Sequence, residues 1–248
     1  MNTTIKLVSV NIEENKHLDR IIPFLEKEDA DVICIQEAIE ANIGLLSVNK
    51  YPHYFFAPMR IVNQPPSMPR RGLLVLTKQQ PSEQTTTYYF GNADDTPVLS
   101  GDQAEDNRAI IYIKILKDST SFSIATTHFT WSAGGEVTNQ QREHLVRVKE
   151  ILQDKKDLIL IGDFNTPRGK EIYSELATMY KDNIPNSVTA TLDPVLHRKP
   201  GLQFVVDGLF TSPEYTVENI QIVEGVSDHK AIVAVISKNS GWPIKGIV

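Results

Sequence analysis

Residues 31–37 have the sequence Asp-Val-Ile-Cys-Ile-Gln-Glu, in which four consecutive apolar residues lead into a polar pair. A strand with apolar side chains at consecutive positions is buried on both faces, so this stretch predicts a strand in the middle of a sheet. Its last two residues, Gln36 and Glu37, are types that are rarely buried without a partner. We therefore expect a functional reason for the polar end of this strand.

The same pattern of an apolar strand beside polar residues recurs along the chain. Active sites of layered α/β proteins commonly lie at strand ends, on loops held by a rigid frame. If these strands share sheets, their polar ends converge on one site although they come from both halves of the chain. Residues 5–10 lead into Asn11, residues 122–127 into His128, residues 158–161 into Gly-Asp-Phe-Asn at 162–165, and residues 231–236 follow Asp228-His229.

Short apolar runs alternate with helical patterns from end to end, without a repeat or a low-complexity tract. This organisation favours one domain over residues 1–248 with a mixed α/β layered fold. A first helix is indicated by the stripe Leu18, Ile21, Ile22 and Leu25, with Asn15 as its candidate cap. Further helices are predicted at 39–49, 139–153 and 170–180, further strands at 54–57, 73–77, 109–116 and 205–210, and loops at 58–72 and 79–107.

The composition excludes several classes of protein. With one cysteine in 248 residues, neither an intramolecular disulfide framework nor a thiolate zinc site can form. The N-terminus lacks the basic and apolar regions of a secretion signal, and no apolar run is long enough to span a bilayer. We therefore expect a cytoplasmic protein without a membrane span, and the sequence implies no obligate protein partner. Cys34 is expected to be a buried residue without a chemical role.

The chain has 25 basic and 31 acidic residues, a formal net charge of −6. This balance argues against a protein that coats nucleic acid with a broad basic face, but it is compatible with one phosphate group held locally. Basic residues cluster in two places, which are predicted to be solvated surface unless the fold places them beside a site. The first cluster is Arg60, Arg70, Arg71 and Lys78, and the second is Arg168, Lys170, Arg198 and Lys199.

Asp207 lies inside the apolar run 202–210, where a strand would place it on the same face as Val205 and Leu209. An unpaired carboxylate in that position would cost several kcal/mol, so a buried Asp207 needs a partner. His229 is the candidate partner, because a carboxylate against one ring nitrogen fixes the tautomer and favours the imidazolium form. The alternative is that Asp207 lies on an edge strand and faces solvent.

Asp163 and Asn165 follow a predicted buried strand at a spacing that points both side chains to one side. Together they could hold and deprotonate a water and contact a phosphoryl oxygen, although the same segment is also compatible with an ordinary turn. Glu37, Asn11 and Asp228 offer oxygen ligands only, a set that suits Mg²⁺ or Mn²⁺ rather than zinc. Each of these three also has a structural interpretation, as a strand-end charge, a turn residue or a cap.

Taken together, the polar strand ends resemble the motifs of the endonuclease/exonuclease/phosphatase superfamily, in the family's order and over nearly the whole chain. The resemblance implies an α/β fold, a four-layer α-β-β-α sandwich with two packed mixed sheets, as in deoxyribonuclease I. It also implies Mg²⁺-dependent cleavage of phosphoester bonds, with Mn²⁺ as an alternative. The matching segments are Ser9-Val10-Asn11-Ile12, residues 31–37, Thr127-His128-Phe129, residues 162–165, Val206-Asp207-Gly208-Leu209-Phe210 and Ser227-Asp228-His229.

The resemblance implies a role for each matching residue. Glu37 would bind the metal, with Asn11 and Asp228 as direct or water-mediated ligands. Asp163 would activate or orient the attacking water, and Asn165 would position the scissile phosphate. His229, oriented by Asp207, and His128 would contact phosphate oxygens and stabilise charge in the transition state. Arg108 matches a substrate-binding position of the family, with a plain surface arginine as the alternative.

The sequence leaves the substrate open. Thr127-His128-Phe129 resembles the branch that contains deoxyribonuclease I, sphingomyelinases, deadenylases and tyrosyl-DNA phosphodiesterases, rather than the abasic-site endonucleases. We expect a phosphodiesterase with nuclease-like activity on a phosphoester substrate, nucleic acid included. The alternatives are a phosphatase, a phospholipid-headgroup phosphodiesterase or, in another class, a catalytically silent binding domain. Substrate selection is assigned to the segments 58–72, 130–138 and 190–203, with Trp131 as a candidate stacking residue.

Overall fold

Two β-sheets form the frame of the protein, and the alternation of side chains along their strands distributes the apolar residues between layers. The computed structural model describes residues 3–99, 105–155, 157–199 and 201–239. The helices in these residues are α1 (Leu18–Glu28), α2 (Ile43–Leu46), α3 (Asn139–Leu152) and α4 (Glu171–Met179). The strands are β1 (Thr4–Asn11), β2 (Val32–Ile39), β3 (His53–Val62), β4 (Arg70–Thr77), β5 (Glu83–Phe90), β6 (Val98–Leu99), β7 (Arg108–Lys117), β8 (Thr120–His128), β9 (Ile159–Asp163), β10 (Lys181–Asp182), β11 (Asp207–Thr211), β12 (Tyr215–Val223) and β13 (Ala231–Lys238).

Within the described residues, the first sheet has seven strands in the order β12-β13-β1-β2-β4-β3-β6, and the second has six in the order β10-β11-β9-β8-β7-β5. The pairs β1–β2, β3–β6 and β8–β9 run parallel, and the other neighbours run antiparallel, so both sheets are mixed. β2 lies in the middle of the first sheet with every residue buried. This confirms the prediction from residues 31–37.

Three apolar layers hold the sheets and helices together. The layer between the sheets contains Leu7 and Cys34 from the first sheet and Ile111 and Ile161 from the second. α1 and α2 cover the outer face of the first sheet, and α3 and α4 cover the outer face of the second. The predicted four-layer α-β-β-α sandwich is therefore confirmed.

Some sequence predictions are wrong at the edges of the sheets. β5 lies in the segment 79–107 that is predicted to be a loop, of which residues 100–104 lie outside the described part of the chain. β5 is an edge strand whose residues 84–87 are exposed, so it lacks the apolar pattern that marks a buried strand. The other predicted loop, 58–72, likewise contains the end of β3 and the beginning of β4.

The helices begin at different kinds of cap. α3 starts with a capping box, in which Thr138 accepts from the backbone of Gln141 and the Gln141 side chain bonds back to Thr138. The cap residue of α1 is His17, which makes no side-chain capping bond, so the prediction of Asn15 as the cap is wrong.

Across the described segments, no helix combines the length and the apolar character that crossing a bilayer requires.

Cys34 has no exposed surface, and burial raises the pKa of its thiol to about 12. Such a thiol supplies almost no thiolate at neutral pH, and the thiolate is the reactive form. We expect native protein to leave Ellman's reagent unreacted, and protein unfolded in guanidinium chloride to release one equivalent of thiol. Rapid reaction of the native protein would show instead that β2 opens readily to solvent.

Candidate active site

The polar strand ends lie together at one end of the sandwich, around a cavity of about 200 Å³. In the second sheet, adjacent strands place three of them side by side, because Asp163 of β9 pairs with His128 of β8 and with Asp207 of β11. β1 and β2 bring further polar groups to the same cavity from the first sheet. Among the residues predicted for the site, the cavity is lined by Asn11, Glu37, His128, Asp163, Asn165, Asp228 and His229.

Gly162 allows β8 and β9 to approach closely enough for this row to form. Its φ is +150°, and a Cβ added there would lie 2.2 Å from the carbonyl oxygen of Thr127. A larger residue would push the two strands apart and shift Asp163 relative to His128. The glycine that precedes the acid is therefore required by the sheet itself.

Asp163 is the central acid of the site and is almost completely buried. Its Oδ1 accepts from the backbone N–H of Asn165 at 2.8 Å, and its Oδ2 accepts from Asn11 Nδ2 at 3.1 Å. Burial raises the pKa of Asp163 to about 7; the His229 cation opposes this rise and the Asp207 carboxylate adds to it. A carboxyl group with this pKa exchanges its proton near neutral pH, as a general base must.

The predicted contact between Asp207 and His229 is present. His229 Nδ1 lies 2.9 Å from Asp207 Oδ2, and His229 Nε2 lies 3.9 Å from Asp163 Oδ2. Burial alone would lower the pKa of His229, but the carboxylates of Asp207 and Asp163 raise it well above its ordinary value. His229 is therefore a cation held between two acids, and its Nε2 is the nitrogen available to the cavity.

A β-bulge aims Glu37 into the site. The register between β2 and β4 shifts between Ile35 and Ala38, and Glu37 has a φ of 62°, a left-handed conformation that costs free energy in a residue other than glycine. Its Oε2 accepts from Arg71 Nη1 at 3.0 Å. Although burial alone would raise the pKa of Glu37, the positive charges of Arg71 and His229 hold it at about 2. Glu37 is therefore ionised at neutral pH.

Side chains whose oxygen atoms could bind a cation are concentrated on the cavity wall, where Asn11, Glu13 and Asp228 lie with Glu37. Burial raises the pKa of Asp228, and the negative charges of Glu13 and Glu37 add to the rise, while His229 opposes it. The negative charges of these acidic side chains repel one another, and a bound cation would stabilise their ionised forms. Carboxylate and amide oxygens fit a hard divalent cation, so these residues could hold Mg²⁺ or Mn²⁺.

Asp163, Asp207 and His229 form another group with ligand atoms within 4.8 Å of one another. The chemistry of this group argues against a metal there. His229 Nδ1 faces Asp207, and the ring is held in its protonated form, whereas a metal binds a neutral imidazole nitrogen. The His229 cation already offsets the charge of the two acids.

His128 and Asn165 present polar groups to the cavity from the second sheet. His128 Nε2 makes no hydrogen bond within the described residues and lies 3.5 Å from Asp163 Oδ2. Burial and the nearby Arg108 cation lower the pKa of His128 well below its ordinary value, so its ring is neutral. Asn165 has a φ of 51°, and its Nδ2 donates to the carbonyl oxygen of Phe129 at 2.9 Å. The protein thus orients the Asn165 side chain before any ligand binds.

Arg108 does not line the cavity. Its side chain has no exposed surface, and its Nη1 donates to the carbonyl oxygens of His128 and Phe129, each at 3.1 Å. The interpretation of Arg108 as a surface arginine is therefore wrong, and its position also removes the support for direct substrate binding. It instead holds the backbone that carries His128.

The basic clusters also differ from the expected solvated surface. In the first cluster, Arg60 and Arg71 are buried. In the second cluster, Arg198 and Lys199 are exposed and line the cavity, so this part of the cluster does lie beside a site. Composition alone could not separate the two clusters, because both contain four basic residues with intervening polar or apolar ones.

Other residues of the cavity wall were not singled out by their sequence. Glu13 follows Asn11 closely, and its backbone N–H donates to Asn11 Oδ1 at 3.1 Å. Leu202 and Phe204 form an apolar part of the wall together with Trp131. The position of Glu13 two residues after a candidate ligand was a usable signal, whereas Leu202 and Phe204 have the ordinary pattern of a strand-like apolar run.

The sequence profile of the Endonuclease/Exonuclease/phosphatase family matches residues 8–229. No curated protein matches the chain in sequence. A solved endonuclease/exonuclease/phosphatase from Bacteroides vulgatus is 18% identical, with 96% of this chain and 100% of that one covered and a TM-score of 0.71. The human nocturnin catalytic domain with bound sulfate is 17% identical, with 96% and 97% covered and a TM-score of 0.68. A Bacteroides thetaiotaomicron mannosyl-6-phosphatase is 14% identical, with 94% and 99% covered and a TM-score of 0.69. At identities this low, the structural similarity shows that these proteins share a fold with this chain.

Proposed function

Because the chain belongs to the endonuclease/exonuclease/phosphatase family, we propose that it is a divalent-metal-dependent hydrolase that cleaves phosphoester bonds. We propose a phosphodiester as the substrate, in keeping with the Thr127-His128 motif at the end of β8. The observation that carries the proposal is the row of His128, Asp163 and Asp207 on adjacent strands, with the His229 cation facing Asp163. Residues from both ends of the chain line the cavity, which supports one domain over residues 1–248.

Glu37, Asn11 and Asp228 are the proposed ligands of Mg²⁺ or Mn²⁺, since all three line the same cavity with oxygen donors. When bound, the cation would polarise a phosphoryl oxygen and offset negative charge. Glu37 is oriented for this role by Arg71, which bonds Oε2, while Oε1 lies 4.0 Å from His128 Nε2. The backbone strain at Glu37 is consistent with a side chain whose direction serves binding.

Asp163 is the proposed general base, which takes a proton from the attacking water as the oxygen of that water bonds to phosphorus. The bond from phosphorus to the leaving oxygen breaks at the same centre, the leaving alkoxide takes up a proton from solvent water to become an alcohol, and Asp163 then releases its proton to solvent. His229 would donate from Nε2 to a phosphoryl oxygen, with Asp207 holding the other ring nitrogen. His128 and Asn165 would bond the remaining phosphate oxygens and fix the in-line geometry.

A phosphomonoester is a second candidate substrate, favoured by the basic part of the wall. Arg198 and Lys199 line the same cavity as the acidic groups and could bind the additional negative charge of a monoester. A phosphatase with this fold, the mannosyl-6-phosphatase, is among the similar structures.

The proposal is tested by measuring hydrolysis of a panel of esters with Mg²⁺, with Mn²⁺ and with excess EDTA. The panel pairs bis-p-nitrophenyl phosphate with p-nitrophenyl phosphate, and adds a single-stranded oligonucleotide, a mononucleotide, a hexose phosphate and a phosphocholine lipid. We expect turnover that EDTA abolishes and added Mg²⁺ restores. Preference for diesters supports the phosphodiesterase, and preference for monoesters supports the phosphatase.

The alternative of a silent binding domain makes the opposite prediction. Such a protein would hydrolyse none of the esters, and calorimetry would detect no heat of Mg²⁺ or Mn²⁺ binding. That pair of results would reject the proposed hydrolase. Turnover that persists unchanged in EDTA would reject the proposed role of the metal while leaving hydrolysis in place.

A further inference from the structure

A buried group of charges lies behind the candidate active site. Asp106, in the segment just before β7, has a completely buried side chain with three arginines around it. Arg71 Nη2 donates to Asp106 Oδ2 at 2.7 Å, Arg60 donates to Asp106 Oδ1, and Arg108 Nη2 lies 4.0 Å from Asp106 Oδ2. We call Asp106, Arg60, Arg71 and Arg108 the Asp106 cluster. No member of the cluster lines the cavity.

The cluster reaches the metal side of the site through Arg71. One guanidinium joins two buried carboxylates, since Nη1 bonds Glu37 Oε2 at 3.0 Å while Nη2 bonds Asp106 at 2.7 Å. The planar fork of an arginine fixes the relative position of the two acids that it bridges. Asp106 therefore determines where Arg71 sits, and Arg71 determines how Glu37 is turned.

The cluster reaches the phosphate side of the site through Arg108. Arg108 Nη1 donates to the carbonyl oxygens of His128 and Phe129, and Asn165 Nδ2 donates to the same Phe129 oxygen. One short stretch of backbone is thus held by a buried cation on one side and by a cavity residue on the other. A shift of Arg108 would move both His128 and the acceptor that orients Asn165.

We propose that Asp106 is a positioning residue that fixes the two halves of the site relative to each other, through Arg71 in the first sheet and Arg108 in the second. This inference rests on the proposed function. The physical reason is charge balance, because arginines packed together out of water repel one another unless a carboxylate lies between them. Without the Asp106 charge, Arg71 would draw Glu37 more strongly, and Glu37 would be less available to a cation in the cavity.

Two variants test the proposal by opposite changes. Asp106→Asn keeps the shape and removes the charge, whereas Arg71→Lys keeps the charge and loses the fork that reaches two carboxylates. We expect each to weaken Mg²⁺ binding about 10- to 100-fold in calorimetry without substrate, as supporting contacts of metal ligands do. We also expect kcat at saturating Mg²⁺ to fall by about tenfold or more, because positioning affects the transition state.

Asp157→Asn is the matched control. Asp157 also connects the two sheets, accepting from Lys238 Nζ and from Tyr215 Oη at 2.9 Å, but it lies before β9, at the end of the sandwich away from Asp163. It should lower the midpoint of urea unfolding and leave both the Mg²⁺ affinity and kcat unchanged. The variants of the Asp106 cluster should therefore change the Mg²⁺ affinity and kcat, whereas the control should change neither. If Asp106 only stabilised the fold, its variants would behave like the control.

The outcomes separate this proposal from the proposed function. Folded Asp106→Asn and Arg71→Lys proteins with wild-type Mg²⁺ affinity and kcat would overturn the positioning role; if Asp106→Asn does not fold, Arg71→Lys decides alone. A wild-type protein that binds Mg²⁺ but hydrolyses no ester would reject the proposed function, and the calorimetric comparison would still decide the role of Asp106. A wild-type protein that binds no Mg²⁺ would overturn the positioning role as well.

Discussion

Replacing Asp163 with Asn is expected to lower kcat by about 10³-fold, the loss typical of a positioned general base, while making the fold more stable at neutral pH. The side chain keeps its shape but can no longer accept a proton from water. Because burial raises the pKa of Asp163 to about 7, the wild-type protein holds this proton more tightly when folded than when unfolded. The protonated form of Asp163 therefore stabilises the folded state, and this stabilisation is fully present below about pH 4 and is lost as pH rises to about 7.

The measurement combines turnover with thermal unfolding at several pH values. We expect the Tm of Asp163→Asn to exceed that of the wild type above pH 7, with the difference shrinking toward pH 4. Asp157→Asn serves as the control, since it removes a carboxylate far from the cavity and should retain turnover. Wild-type kcat in Asp163→Asn would reject the assignment of Asp163 as the base.

Replacing Glu37 with Gln is expected to raise the Mg²⁺ concentration for half-maximal activity by at least about 100-fold, since even outer partners of metal ligands account for about 10- to 100-fold. Glutamine can still accept the Arg71 hydrogen bond, so the bulge in β2 should persist. The charge that balances a cation is lost. We expect excess Mg²⁺ or Mn²⁺ to restore part of the turnover.

Glu40→Gln is the control for this experiment. Glu40 lies three residues further along, pairs with the exposed Arg70 at 2.6 Å and does not line the cavity. Its Mg²⁺ dependence should match that of the wild type. Equal Mg²⁺ dependence in Glu37→Gln and the wild type would show that Glu37 is not a ligand.

The contact between Asp207 and His229 could be predicted from sequence because burial cost requires it. An acid inside an apolar run needs a partner, and His229, beside the last predicted strand, offers a ring nitrogen whose protonated form a carboxylate favours. The central position of β2 followed from its consecutive apolar residues in the same way. In both cases the order of apolar and polar residues within one strand indicates whether its side chains are buried.

The contacts behind the cavity could not be predicted. Arg60 and Arg71 occur in a polar, proline-containing stretch that is typical of an exposed loop, and their burial depends on Asp106, which comes from a distant segment. The direction of Glu37 depends on a bulge, a local change in strand pairing that leaves no clear mark in one sequence. β5 was missed because its exposed residues follow no apolar alternation.

The division of the cavity wall between strands and loops has a consequence for how such a protein can diversify. The acids and histidines proposed for binding and catalysis come from or directly adjoin the strands of two sheets, whereas Trp131, His197, Arg198 and Phe204 belong to connecting segments that border the same cavity. Loops tolerate exchange and insertion much better than paired strands. We therefore expect that grafting the segments 130–138 and 190–203 between relatives transfers substrate preference, while the proposed catalytic residues on the strands stay in place.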